Sequence, residues 1–295
     1  MNHALTPLAD YACHTGEGPL FHPDKSAVYW TDIPNGSLFR YDLTSGAHRA
    51  IPIPGRQVGG FTLQEDGRLL LFLDRGSVAL FREGEPLEFV VSEIEGETET
   101  RFNDVIADPA GRVFCGTMPT KDRLGRLYRL DTDGTLTKIL ENIGCSNGMG
   151  FTPDGLKMYY TDTGARKIYL FDYDRATGEI THQRTFARAE DGGGYPDGMT
   201  VDAEGFVWST RWDGGCVVRY DPSGAEVARI ALPARKVSCA TFGGEDYATM
   251  FVTTAGGHLK ETDGALAGAL FAVTIPGVCG VAEFRSKISP RRAGA

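Results

Sequence analysis

The stretch Cys145-Ser-Asn-Gly-Met-Gly-Phe-Thr-Pro-Asp-Gly-Leu-Lys-Met-Tyr-Tyr-Thr161 holds two hairpin signals seven residues apart, Asn147-Gly148 and Asp154-Gly155. Each dipeptide favours a tight turn because glycine accepts a positive φ at little cost. They cannot both be the tip of one hairpin. Giving the turn to Asp154-Gly155 makes Lys157-Met-Tyr-Tyr-Thr161 the strand that follows it. Asn147 then heads the strand before the turn, and its amide is free for another task.

The same order of strand, turn and strand recurs along the chain. Ala27-Val-Tyr-Trp-Thr31, Arg68-Leu-Leu-Leu-Phe72, Arg112-Val-Phe-Cys-Gly116 and Phe206-Val-Trp-Ser-Thr210 each follow a turn signal. Those turns are Pro23-Asp24-Lys25, Glu65-Asp66-Gly67, Pro109-Ala110-Gly111 and Ala203-Glu204-Gly205, with a weaker sixth at Gly243-Gly244-Glu245. Second hairpins follow with turns at Asp133-Gly134, Thr177-Gly178 and Ser223-Gly224. Short strands in groups of four, repeated six times, are the pattern of a radial array. The sequence therefore predicts an all-β fold, a six-bladed β-propeller with four-stranded antiparallel blades. It predicts one domain over residues 1–295, with about 285–295 as a flexible C-terminal tail.

Stepping back seven residues from the position of Asp154 in each repeat selects Glu17, Gly59, Asn103, Asn147, Asp197 and Ser238. Their successive spacings are 42, 44, 44, 50 and 41 residues, the long one matching an insertion at Ala189–Tyr195. In a propeller these strand heads converge on one mouth of the central channel. Two carboxylates and two amides then face one small volume. With no histidine or cysteine in the ring, the donors are oxygens, which suit hard divalent cations: Ca²⁺, Mg²⁺ and Mn²⁺, with Fe²⁺ and Zn²⁺ also able to accept them. Glu17 and Asp197 would neutralise the charge and Asn147 would add a carbonyl oxygen. Three protein ligands leave positions open for water and substrate, as in a catalytic site. The free oxygen of Asp197 is placed to take a proton from an attacking water. Polar residues at blade ends also cap backbone groups, but that reading does not account for six polar or small residues in one register.

Arg101-Phe102-Asn103-Asp104 brings a guanidinium and a second amide to the same mouth. Arg101 can donate to carbonyl, hydroxyl or carboxylate oxygens, or it can pair with Glu97, Glu99 or Asp104. Asp104 is expected to hold Arg101 or Asn103 in place from behind.

Other chemistries lack support. The six histidines show no metal-ligand spacing, no G-x-S-x-G elbow is present, and Gly192-Gly-Gly194 lacks the lysine and helix of a phosphate loop. A formal charge of −9, with no Lys/Arg cluster beyond the short tail Arg285 to Arg292, which reads as a solvated end, argues against nucleic acid or an anionic membrane as partner. The six cysteines are scattered with no C-x-x-C pair and read as reduced, mostly buried thiols. The N-terminus shows no signal peptide and no window is long and apolar enough for a membrane span. A cytoplasmic monomer or weak homo-oligomer is expected.

Gly16-Glu-Gly-Pro19, Arg101-Phe-Asn-Asp104, Gly116-Thr-Met118, Ser146-Asn-Gly148, Pro196-Asp-Gly198 and Gly268-Ala-Leu-Phe-Ala-Val273 resemble motifs of the regucalcin/gluconolactonase family. That family includes senescence marker protein and the luciferin-regenerating enzymes. The resemblance runs from about residue 10 to about 284. It implies a six-bladed propeller that hydrolyses sugar-acid lactones with one divalent metal. Glu17, Asn147 and Asp197 are then the metal ligands, Asp197 the general base, and Arg101 and Asn103 the substrate contacts. The implied reaction opens an aldono-1,4- or 1,5-lactone, such as glucono-, xylono-, arabinono- or rhamnono-lactone, in a sugar-oxidation pathway. The chain looks most like the bacterial sugar lactonases. One departure matters: animal members carry an acidic residue after Gly-Thr-Met, where this chain has Pro119-Thr-Lys-Asp122. Their substrate preference does not carry over. The contrasting readings are a non-catalytic metal- or ligand-binding propeller scaffold and an aryl-ester or phosphotriester hydrolase. Trp30, Met118, Tyr195 and Trp212 are candidate pocket walls.

Overall fold

A computed structural model describes residues 3–289. Every turn that organised the sequence reading is present. Gly67, Gly111, Gly155 and Gly205 each close a turn by donating their amide to the carbonyl three residues earlier, at 2.7–3.0 Å. The strands on either side pair antiparallel, giving six four-stranded sheets. Blades I to VI begin with the inner strands Gly16–His22, Val58–Leu63, Phe102–Ala107, Ser146–Phe151, Tyr195–Val201 and Lys236–Gly243. Each inner strand packs against the next, and the sixth packs against the first. The result is a six-bladed β-propeller. Asn147 lies in the inner strand of blade IV, so Asp154-Gly155 is indeed the hairpin tip.

Closure uses a device that the repeat did not reveal. The outermost strand of blade VI is Ala4–Asp10, from the opposite end of the sequence, paired antiparallel with Ala269–Thr274. The ring is thus sealed by backbone hydrogen bonds between distant parts of the chain.

The core is divided into six slabs, one between each pair of neighbouring blades. Blades I and II, for example, meet through Leu20, Tyr29, Phe61 and Leu71. Both faces of a middle strand are therefore covered. This explains why Leu69–Leu73 is buried at every position instead of alternating. Trp30 is consumed by such a slab. It is 1 % exposed and stacks with Phe39 between blades VI and I, so it is blade packing and not a pocket wall. The six cysteines form no disulfide; Cys13, Cys115, Cys216 and Cys239 are buried, as expected of core thiols.

The C-terminal residues correct the expectation of a flexible tail. Segment 279–289 crosses the channel end opposite the strand heads and touches all six blades. Arg285 pairs with Asp24 of blade I, Ser286 bridges to Gln64 of blade II, and Lys287 donates to Gly111 O of blade III at 2.8 Å. The ring of Phe284 meets that of Phe151 in blade IV. Gly280 bridges to Asp202 of blade V and donates to Tyr247 O of blade VI. Ile288 is buried in the slab between blades II and III. The remainder of the expected tail, residues 290–295, lies outside the described residues.

Candidate active site

In each of the six blades, the ladder between inner and second strand is broken by a bulge. It falls between Glu17 and Leu20, Val58 and Gly60, Phe102 and Val105, Asn147 and Met149, Pro196 and Met199, and Val237 and Cys239. All six positions selected by the repeat spacing lie at or inside these bulges. Gly59, Asn103, Asp197 and Ser238 are unpaired inside their bulges, while Glu17 and Asn147 are the last paired residues before theirs, opposite Thr31 and Thr161. A bulge bends the strand and re-aims the side chains around it. The fold thus presents residues to the channel mouth by one mechanism used six times.

Gly148 makes room for this. A Cβ there would stand 2.6 Å from Met199 N and 2.7 Å from Asp197 O, so only glycine lets the inner strands of blades IV and V approach. That contact brings Asn147 and Asp197 together.

Glu17, Asn103, Asn147 and Asp197 are at most 5 % exposed, and Asp104 is 9 % exposed. The amides are fixed by their hydrogen bonds. Thr163 Oγ1 donates to Pro196 O at 2.7 Å, so it must accept from Asn147 Nδ2, also at 2.7 Å. Asn147 Oδ1 therefore points the other way, where it accepts from Asn103 Nδ2 at 2.6 Å and keeps a lone pair. Asn103 gives its second proton to Ser146 O and accepts from Arg101 Nη1 at 2.7 Å. Both N–H groups of Asn103 are thus committed within the protein, and its oxygen is what it can offer a ligand.

The carboxylates are the reverse case. Asp197 and Asp104 accept no hydrogen bond from any described residue, and Glu17 accepts only the 3.2 Å contact from Gly18 N. No lysine or arginine among the described residues lies within ion-pair distance of the three. Burial raises all of their pKa values: Asp104 to about 7, and Glu17 and Asp197 well above the usual carboxylate range. Repulsion from Asp197 and Asp104 adds to the effect at Glu17, and repulsion from Asp104 adds to it at Asp197. Uncompensated buried carboxylates are expensive, and a dication would remove the expense. The donor set fits one. Among the described residues no three His, Cys, Asp or Glu side chains converge on a point. A cation here could draw on Glu17, Asp197 and the Asn147 oxygen, with its other positions open.

Two expectations change. Asp104 holds neither Arg101 nor Asn103; it lines a cavity of about 70 Å³ in the channel below the ring, with Gly18, Met149 and Cys239. Arg101 pairs with none of Glu97, Glu99 and Asp104. It donates to Phe102 O and Asn103 Oδ1, and the residue lines a cleft of about 670 Å³. The walls of that cleft include Arg56, Asp74, Thr100, Glu99 and Met118. Of the four candidate wall residues only Met118 lines it. Tyr195 instead lies against Arg166 and Trp212 beside Lys236.

A supporting layer escaped the sequence reading. Asp32 accepts from the amides of His14 and Thr15, Asp74 from Gln57, and Asp162 from Cys145. Each grips the backbone two or three residues before a ring position. The signal was present as an aspartate ending the second strand region of three repeats, in Trp30-Thr-Asp32, Phe72-Leu-Asp74 and Tyr160-Thr-Asp162. Thr163 follows the last of these and gave no signal of its own.

Comparison with known proteins agrees with this architecture. Residues 15–256 match the SMP-30/Gluconolactonase/LRE-like region. The chain is 47 % identical over 291 residues to pentonolactonase XacC of Haloferax volcanii, covering 96 % of this chain and 98 % of that one. It is 37 % identical over 272 residues to L-arabinolactonase of Azospirillum brasilense, covering 89 % and 87 %. Among solved structures, a calcium-binding regucalcin from Agrobacterium tumefaciens superposes with a TM-score of 0.89 at 29 % identity, covering 97 % and 98 %.

Proposed function

The chain belongs to the SMP-30/gluconolactonase/LRE-like family, and from that membership we propose that it is a metal-dependent sugar lactonase, opening an aldono-1,4- or 1,5-lactone to the free aldonate. Five-carbon lactones are the first substrates to test, since both lactonases compared above are named for them. The observation that carries the reading is the buried pair Glu17 and Asp197, which no described lysine or arginine pairs with, at the same mouth as an Asn147 oxygen that Thr163 turns away from itself.

Glu17, Asp197 and Asn147 would hold one divalent cation. The chemistry such a cation supplies is Lewis acidity toward the lactone carbonyl. Asp197 takes a proton from the water whose oxygen bonds to the carbonyl carbon. The bond from that carbon to the ring oxygen breaks, and the ring oxygen leaves as a hydroxyl with the proton returned to it. Arg101, which lines the cleft, orients the hydroxyls of the sugar, and Asn103 bonds to both Arg101 and Asn147.

The test is acid release from a panel of xylono-, arabinono-, glucono-, galactono- and rhamnono-lactones by metal-stripped protein. Ca²⁺, Mn²⁺, Mg²⁺, Fe²⁺ or Zn²⁺ is then restored. Turnover that returns with one or more cations is expected, and release at only the spontaneous rate with every combination sinks the proposal. Asp197→Asn should lower kcat on the order of 10²–10⁴-fold; near-full turnover with cation still bound would remove Asp197 from the role of base.

A further inference from the structure

Glu97 lies outside the ring and outside every motif that the sequence reading used, yet it is fully buried. It sits in the connection from blade II to blade III, ahead of Arg101. One carboxylate gathers three donors from the third strand of blade III, Gly125–Leu130, and the loop that leads into it. Arg126 Nη1 and Tyr128 OH donate to Oε1 at 3.0 and 2.8 Å, and Arg123 Nη2 donates to Oε2. Arg123 also donates to Gly96 O at 2.6 Å. Charge-assisted bonds of this kind are the strong ones, and the fork of arginine makes them directional.

Two segments are fastened together by this arrangement, 96–101 and 118–126. Their other edge is joined at Met118: its N–H donates to Arg101 O, and the Thr100 hydroxyl donates to its carbonyl, both at 3.0 Å. Between the two fastenings lies one lip of the cleft, formed by Glu99, Thr100, Arg101 and Met118. The same lip carries Pro119-Thr-Lys-Asp122. The lip is also tied to blade II, where Arg75 N donates to Thr100 O at 2.8 Å and Arg101 bridges to Asp74, while its tip residues Lys121 and Asp122 are exposed.

We infer that Glu97 is a positioning residue for substrate, clamping the 96–101 and 118–126 segments so that Arg101 and Met118 present a fixed wall to the sugar. This rests on the lactonase reading of the cleft. The clamp touches none of Glu17, Asn147 and Asp197, so its loss acts on binding rather than on bond making.

The experiment compares Glu97→Gln, Glu97→Asp and the milder Arg123→Met with the unaltered protein, all supplied with the supporting cation. Circular dichroism and thermal melting check the fold. In folded Glu97→Gln, KM should rise about tenfold for every lactone turned over, the size expected when one hydrogen bond's worth of binding is lost. Its kcat should stay within about twofold, which is the signature of lost uniform binding. Arg123→Met should shift KM in the same direction by less, and Glu97→Asp should recover part of it. Amide hydrogen exchange at Arg101 and Met118 should quicken in Glu97→Gln whether or not a substrate is known. Unchanged KM in folded Glu97→Gln, or a fall in kcat and melting temperature with no change in KM, overturns the inference. Unchanged exchange at Arg101 and Met118 does so as well. If the unaltered protein opens no lactone, the function proposal fails, and the exchange result alone decides whether the clamp holds the lip.

Discussion

Asn147 shows how much one residue can say and where it stops. Its place at the head of a strand was legible from the competition between two turn signals, because glycine-containing turns have few backbone solutions. The direction of its amide was not legible, since that depends on Thr163, Pro196 and Asn103. Thr163→Val keeps the shape and removes the hydroxyl, so the amide loses the acceptor that aims its oxygen. We expect cation affinity to fall roughly tenfold, at the low end of what losing such a supporting partner costs. Stability should fall by about 1 kcal/mol from the lost pair of hydrogen bonds. Calorimetric titration with Mn²⁺ or Ca²⁺ checks the first and urea unfolding the second; unchanged affinity would mean that Asn147 is aimed by Asn103 alone. Arg101 teaches the opposite lesson. Sequence proximity offered it three carboxylates, and the fold gave Glu97 to Arg123 and Arg126 instead.

At the scale of elements, the inner strands were placed well by hydrophobic alternation and turn chemistry, because both are local. The bulges were not foreseen. A bulge is a property of the pairing between two strands, and the spacing revealed only that the six positions were equivalent. The bulges account for that equivalence physically, since in every blade the selected residue lies in the bulge or directly before it. Gly148→Ala tests the packing that goes with them. Its added methyl would meet the backbone of Asp197 and Met199, which cannot yield as a side-chain tip can. The expected cost is about 1–3 kcal/mol, read from the urea midpoint, together with a loss of cation affinity larger than that of Thr163→Val because Asp197 itself is displaced. A Gly148→Ala protein with normal stability would show that the two strands can separate freely. The C-terminal strap is the other element that was misjudged. Its basic residues suggested a solvated tail, but Ser286 and Ile288 find partners on blades that are more than two hundred residues away.

For the whole molecule, the buried carboxylates in and below the ring set a pH dependence whose sign follows from burial. Glu17, Asp104 and Asp197 are raised in the folded, metal-free protein, so their ionisation opposes folding. Their contribution is fully present below the unfolded value of about 4 and is lost as pH rises, for Asp104 through about 7. The metal-free protein should therefore melt at a lower temperature at pH 8 than at pH 5. A bound dication reverses the penalty, and at a hundredfold excess over Kd it should add about 2.7 kcal/mol. That gain should be larger at pH 8, where protons compete less for the ligands. Scanning calorimetry with and without cation, at both pH values, checks it; a cation effect that is greater at pH 5 would contradict the ligand set. The sequence by itself determined the number of blades, the register of their inner strands and the composition of the ring, because periodic turns and alternation are written residue by residue. Only the tertiary structure decided that Ala4–Asp10 completes blade VI, that the strap covers the far end of the channel, that Thr163 aims the Asn147 amide and that Glu97 fastens the lip of the cleft. Each of these joins segments that are distant along the chain or on different strands, and such contacts are fixed by packing geometry and the need to satisfy buried polar groups, which leave no local pattern to read.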